Sequence, residues 1–197
     1  MKGDVAEVRY PKKVRDLARL EARAVELGLY SNHNIHGLLQ TEAHMRALFE
    51  VWLPAYSEDE VERMVAARLA RRVVFGRVPA PTPSFVQDEV TLCRPVGGTM
   101  VWRRQLERLL EIGALRNVSI QVMPTNREEH FGTGGLIEVL RFPDGSAAGR
   151  SEGAFSGRPV TDPKQLRILE LRYGMIRAQA LTPGESRTLI EHMLGET

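Results

Sequence analysis

Residues 84–87 (SFVQ), 88–98 (DEVTLCRPVGG), 99–112 (TMVWRRQLERLLEI) and 118–123 (VSIQVM) decide how this chain folds. The first run is a short β-rich segment. In the third, Trp102, Leu106, Leu109 and Leu110 recur at three- and four-residue spacing, which predicts an amphipathic helix, and the fourth reads as a buried strand. Strand, helix, strand in that order predicts a crossover unit and an α/β layer architecture. The linking residues 88–98 place two acids, an arginine, a proline and two glycines at the strand-to-helix corner, which makes them the first candidate site.

Working towards the N-terminus, residues 57–73 open with Ser57 and Glu60 in a capping-box pattern and carry Val61, Met64, Val65, Leu69 and Val73 as an apolar face. Thr41 is placed to cap a preceding helix bearing Met45, Leu48, Phe49 and Trp52, stopped by Pro54. Val14, Leu17, Leu20, Ala24 and Leu27 predict a further amphipathic helix from Pro11 to Gly28, followed by an irregular polar stretch. The N-terminal third is therefore expected to be helical. Gly76 and the prolines at 79, 81 and 83 close it.

Towards the C-terminus, residues 136–142 read as a strand and Pro143-Asp144-Gly145 as a turn leading to a returning strand before Gly153. Asp162-Pro163-Lys164-Gln165 and Thr182-Pro183-Gly184-Glu185 each supply an N-cap, a proline at the first helical position and a reciprocal capping residue. Two helices close the chain, with Leu166, Leu169, Tyr173 and Ile176 on the first and Leu189, Ile190, Met193 and Leu194 on the second. The expectation is one α/β (α+β) domain over residues 1–197, a small mixed sheet flanked by helices.

Composition bounds the function classes. The chain has 197 residues, 27 basic against 25 acidic and a formal charge of +2, too even to predict nucleic-acid or membrane binding. Its single cysteine, Cys93, fits a reducing compartment and cannot form an internal disulfide. Residues 1–13 lack a signal-peptide apolar region and no apolar run is long enough to span a membrane, so a cytoplasmic location is expected.

Complete chemical motifs are missing. His33, His36 and His44 fall close together, and His130 follows Glu128 and Glu129, but their spacing suits a metal poorly and no metal site is expected. No Gly-x-Ser-x-Gly elbow occurs, and Cys93 has only Arg94 nearby to activate it. Residues 131–135 (FGTGG) lead into a strand rather than a helix, which favours a turn over a phosphate loop. Gly97 and Gly98 are better placed, at a helix start whose amides can meet an acidic group beside Arg94. Asp88 and Glu89 are adjacent and cannot form a facing dyad; capping of the following turn and pairing with Arg94 is their plainer role. Arg68, Arg71, Arg72 and Arg77, like Arg103, Arg104 and Arg108, read as solvated helix faces.

Five blocks in order, Gly37-Leu38-Leu39-Gln40-Thr41, residues 88–98, residues 117–124, Arg141-Phe142-Pro143-Asp144-Gly145 and Glu185-Ser186-Arg187, resemble the C-terminal module of actinobacterial, mainly streptomycete, antitoxin-like transcriptional regulators that carry an XRE-type helix-turn-helix. The resemblance runs from about Arg15 to Leu194. His36 stands where that family has proline, Ala43-His44-Met45-Arg46 replaces a Tyr-Ala-Arg run, and residues 147–153 are less apolar. The ten residues before Pro11 are too few for a helix-turn-helix, so direct nucleic-acid binding by this chain is not expected. The resemblance implies a module that senses a small partner protein or a small-molecule ligand, with a capacity to form a homodimer and no cofactor. It places Gln40, Glu89, Arg94, Gly97 and Gly98 around the recognition surface. The alternative expectation is a stand-alone relative recruited as a small-molecule (natural-product) enzyme, with Glu89 and His36 or His130 as acid and base and Arg94 anchoring a carboxylate.

Overall fold

The computed structural model describes residues 12–152 and 158–197. The readings of residues 1–11, of Pro11 as a helix start and of Gly153 as a strand limit lie outside the described residues, as does the side chain of Val14. Helix α1 (Lys12–Arg23) leads to strand β1 (Glu26–Ser31), and α2 (Glu42–Glu50) and α3 (Glu58–Ala70) follow. A 3-10 segment, Arg71–Gly76, precedes β2 (Thr82–Asp88), and another, Glu89–Leu92, precedes α4 (Thr99–Gly113) and β3 (Ser119–Met123). A short turn of 3-10 helix, Phe131–Gly134, precedes β4 (Ile137–Arg141) and β5 (Ala147–Ser151), and α5 (Pro163–Gln179) and α6 (Pro183–Gly195) close the chain.

The five strands form one mixed sheet in the order β3-β2-β1-β4-β5. β1, β2 and β3 are parallel neighbours, and β4 and β5 are added antiparallel. The crossover read from residues 84–123 is present as β2-α4-β3. The α/β class, the helical N-terminal third and the two closing helices are as expected.

The central strand, however, was not foreseen. Leu27 and Gly28 were expected at the end of the first helix, but α1 ends at Arg23 and both residues lie inside β1. Leu27 continues the helical spacing of Leu20 and Ala24, so periodicity does not separate the two states over so short a run. The arginine of the 3-10 segment's C-cap, Arg77, donates to the carbonyls of Ala22 and Ala24 and so ends the helix there. Gly28 has a packing reason instead: a Cβ there would lie 2.7 Å from the Tyr173 ring of α5.

Both faces of the sheet are buried, as parallel pairing requires. Leu27, Leu29, Phe85, Ile120, Val122 and Leu140 pack with Trp102, Leu106 and Leu109 of α4 and Ile190 of α6. Tyr30, Val86, Met123, Ile137 and Val139 pack against Leu169, Tyr173 and Ile176 of α5. Two expected core residues are outside: Trp52 and Val73 are 56% and 61% exposed. Helix α2 ends two residues before Trp52, and the change to 3-10 winding after Ala70 turns Val74 inward in place of Val73.

Each sheet edge is covered at one point of its strand. On β3, the Val122 carbonyl accepts from Leu181 N–H at 2.9 Å, and Val122 N–H donates to Ser186 Oγ at 2.9 Å. On β5, Gly149 exchanges both backbone hydrogen bonds with Val160. Such edges resist strand-to-strand association. No helix among the described residues is long and apolar enough to cross a membrane.

Because Ser186 is fully buried, Ser186→Ala leaves Val122 N–H without its acceptor. Urea unfolding is expected to show a loss of about 1–3 kcal/mol, against about 0.5 kcal/mol or less for exposed Thr188→Ala. Equal effects would mean that Ser186 does not seal the edge.

Candidate functional site

The corner at residues 88–98 is a structural device. Asp88 is 5% exposed and caps the 3-10 segment through Oδ1, which accepts from Val90 N–H. Its Oδ2 accepts from Tyr30 Oη and His130 Nε2, each at 2.9 Å. Burial first, and then the Asp88 charge and hydrogen bond, push the Tyr30 phenol far up. Glu89 does not pair with Arg94: Glu89 Oε2 accepts from the backbone N–H and hydroxyl of Thr125, at 2.7 and 2.9 Å. Arg94 is exposed and donates to the His33 carbonyl at 2.9 Å. Gly97 and Gly98 are exposed, with φ of 88° and 86°. That left-handed backbone makes glycine the fitting residue at the entry to α4. Partial shielding and Glu89 push the Cys93 thiol up despite Arg94, so it is not an activated nucleophile.

The histidines do not assemble. His130 Nδ1 accepts from Gly132 N–H at 3.1 Å while Nε2 meets Asp88, so both ring nitrogens are occupied. His44 is buried elsewhere, 5.6 Å from the Trp102 ring centroid. His33 is exposed, and His36 lies 5.4 Å from the Phe85 ring. His36 thus bonds Glu138, whereas Glu89 and His130 lie at the 88–98 corner and are each held by a different partner, Thr125 and Asp88.

The structure instead builds a site where β1 ends and the sheet passes from parallel to antiparallel pairing, the position at which open α/β sheets commonly leave a crevice. Residues 32–41 leave β1 and cross the sheet end. Their backbone is held by amide side chains: Gln87 accepts from His36 N–H, and Gln105 accepts from Thr41 N–H while donating to the Leu39 carbonyl. Gln40, 2% exposed, donates to the Ile35 carbonyl at 2.5 Å and accepts from Arg68 Nη1 at 2.6 Å. Arg72 donates to the Gln40 carbonyl. A Cβ at Gly37 would come within 3.3 Å of Arg71 Nη1 and 3.4 Å of Arg68 Cδ, so glycine lets this loop lie on both arginines.

Beneath the loop is a buried charge cluster. Glu138 of β4, 1% exposed, accepts from Arg150 Nε at 2.7 Å and Nη2 at 3.0 Å, and stands 3.4 Å from His36 Nε2. Arg150 is its direct cross-strand partner. Burial raises the Glu138 carboxyl, but hydrogen bonds from His36 and Arg150 and the arginine charge outweigh that and bring it to about 2. Glu21 of α1, 1% exposed, is gripped by Arg71 Nε and Nη2 at 2.7 and 2.6 Å. Donor atoms of Glu21, His36 and Glu138 lie within 4.8 Å of one another, a spacing that fits a cation. Each carboxylate is already matched by a guanidinium, so a divalent ion would meet a neutral cluster and displace two bidentate pairs.

Above the cluster is a cavity of about 250 Å³, lined among others by His36, Gln40, Phe49, Trp52, Arg68 and Arg150. Arg68 has no carboxylate partner among the described residues. Its guanidinium lies 4.5 Å from the Phe49 ring centroid, and burial followed by the Arg71 charge pulls it down to about 10. Gln40 and His36 were foreseen as site residues and line this cavity. Arg68, Arg71 and Arg72 were expected on a solvated face and are instead held here, because their partners are far apart in sequence. Glu21, Glu138 and Arg150 were missed, yet Glu138 interrupts an otherwise apolar strand and Glu21 shares a helix face with Leu17 and Ala24. A wider groove of about 590 Å³ lies under α5, lined by Gly28, Ser84 and Tyr173, with Arg141 paired to Glu170 and Glu26. None of the expected site residues reaches it.

These features define a mixed α/β module with a charge-balanced buried cluster beneath a small arginine-lined cavity. The chain belongs to the family described as "Domain of unknown function (DUF5753)", whose model matches residues 14–192. No curated protein and no solved structure matches it.

Arg150→Met strands the Glu138 charge and is expected to lower stability by about 3–5 kcal/mol. The double variant Glu138→Leu/Arg150→Met is expected to be more stable than Arg150→Met alone in denaturant titration; strict additivity would refute the coupling. His44 supplies a pH test. Burial, aided by Arg68, pulls His44 down to about 4 from 6.5. The unfolded chain therefore takes a proton that the folded chain refuses, and stability present above pH 6.5 is lost as pH falls towards 4. At about 1.4 kcal/mol per pKa unit the loss is about 3 kcal/mol. His44→Leu should lose correspondingly less over that window, and an unchanged pH profile would dismiss His44 as the cause.

Proposed function

We propose that this chain is the sensing module of an antitoxin-like transcriptional regulator of the actinobacterial type with an XRE helix-turn-helix, working in the cytoplasm and responding to a small-molecule ligand. The blocks at residues 37–41 and 88–98 support the regulator reading. The observation that carries the sensing reading is the cavity at the end of β1, where polar side chains converge around a guanidinium. Outside the cavity, the acid and base of the enzyme reading are engaged by other partners, Glu89 by Thr125 and His130 by Asp88 and Gly132. Within the cavity the buried acid, Glu138, is tied to Arg150 and His36, an arrangement that favours binding over turnover.

Trp52 supports a link from ligand to partner. It lines the cavity and also belongs to the exposed run Val51, Trp52 and Leu53, which are 70%, 56% and 88% exposed. An apolar surface of this kind suits protein contact. A small partner protein or a second copy would meet the end of α2 here.

Native mass spectrometry of the protein isolated from its own cells tests the reading: a retained small molecule at one per chain, released unchanged, is expected. Catalytic conversion of a metabolite extract, lost in Glu89→Gln, would replace sensing with the enzyme reading.

A further inference from the structure

We propose that the cavity beside Arg68 takes the carboxylate of a small organic acid whose flat apolar body lies against Phe49 and Trp52. This deepens the sensing reading and rests on it. The argument begins with charge. Arg71 is answered by Glu21 and Arg150 by Glu138, each through two hydrogen bonds. A third acid, Glu152, is 63% exposed on its side chain, stands at the rim and lies 3.8 Å from Arg150. That leaves Arg68 as the lining guanidinium whose only hydrogen-bond partner is neutral, the Gln40 amide. Gln40 is itself fixed through Ile35, so it holds one edge of the guanidinium still.

Arg68 Nε and Nη2 have no hydrogen-bond partner among the described residues. A guanidinium presented in this way, with one nitrogen anchored and two adjacent donors unused, matches a planar carboxylate bidentately. The aromatic ring of Phe49 lies across its face at 4.5 Å and keeps water from one side. Ser31 Oγ, in the wall of the same cavity, is buried and also without a partner.

Size and charge narrow the class. The cavity, about 250 Å³, is below the roughly 300–1,000 Å³ of sites for drug-sized ligands, so a single ring with one acid group is the fitting scale. One negative charge answers Arg68. A doubly charged phosphate ester would bring a second charge towards Glu138 and Glu152, which already line the space. The aromatic wall formed by Phe49 and Trp52 gives the apolar end of the acid its contact, and an uncharged analogue would leave the guanidinium unanswered.

The test is isothermal titration of the full chain with benzoate and phenylacetate, with benzyl alcohol and inorganic phosphate as comparison probes. Saturable binding of at least one acid is expected, with benzyl alcohol and phosphate at least tenfold weaker. Loss of a charge-assisted pair of about 1.5–3 kcal/mol predicts at least a tenfold loss of affinity in Arg68→Gln. Arg68→Lys keeps the charge without the fork and should also weaken binding, while exposed Arg104→Gln should not. Phe49→Leu, which leaves Arg68 in place, should weaken both acids and guards against a folding defect in the arginine variants; circular dichroism confirms that each is folded. Binding of neither acid, phosphate binding as tightly as the acids, or undiminished binding in folded Arg68→Gln would overturn the proposal. These outcomes leave the sensing reading standing, because that reading is decided by the retained ligand and by turnover, not by these probe acids.

Discussion

The burial of the Glu138 carboxylate inside the sheet is the constraint from which the rest of the site follows. An ionised carboxylate at 1% exposure is untenable unless opposite charge and hydrogen bonds replace the water it has lost. Arg150 supplies both only if β4 and β5 pair with Glu138 opposite Arg150, so the ion pair and the strand register specify each other. A one-residue slip would move Arg150 to the α5 face, where Tyr30, Ile137 and Leu169 offer it nothing. His36, reaching the same carboxylate from the loop after β1, ties a third segment to that register. Arg71 and Glu21 add α1 and the 3-10 segment after α3, so five separate parts of the chain meet around two buried acids.

The loop at residues 32–41 is the second dependency. Buried irregular backbone is tolerated only where its polar groups are paired, and here glutamine side chains from β2, α4 and the loop itself do the pairing. This explains the Gly-Leu-Leu-Gln-Thr block in physical terms. Gly37 clears space for two arginines, Leu38 and Leu39 enter the core, Gln40 fixes Arg68, and Thr41 caps α2. The block is a way of building a rigid wall from a segment with no regular structure of its own.

What the sequence revealed divides along the distance between interacting residues. The caps at Ser57, Asp162 and Thr182 and the β2-α4-β3 crossover were legible because their signals lie within a few residues of each other. β1 was hidden because ELGLYS extends the apolar spacing of the helix before it, and its role as the middle strand is set by neighbours more than fifty residues away. The same distance hid the site. Arg68 and Arg71 look like the charged face of a helix until Gln40 and Glu21 are placed beside them, and residues 88–98 look like a site because their local mixture of charge and glycine resembles one. Gln40 and His36 line the cavity, whereas Glu89, Arg94, Gly97, Gly98 and His130 lie at the corner before α4 and in the adjoining loop.

Among the guanidiniums that line the cavity, Arg68 is the one with no carboxylate partner among the described residues. Holding a guanidinium partly out of water beside another guanidinium has a free-energy cost that folding alone gives no reason to keep, and a methionine there would pack against Phe49 without it. An anion that answers the charge removes that cost only in the folded state, so occupancy stabilises the unit formed by the loop, α2 and α3 in proportion to ligand concentration. The C-terminal turn of α2 is part of that unit and carries Trp52 from the cavity wall into the exposed apolar run at residues 51–53. A change in how firmly that turn is held is therefore a change in the surface offered to a partner, which is the physical form a sensing event would take in this fold.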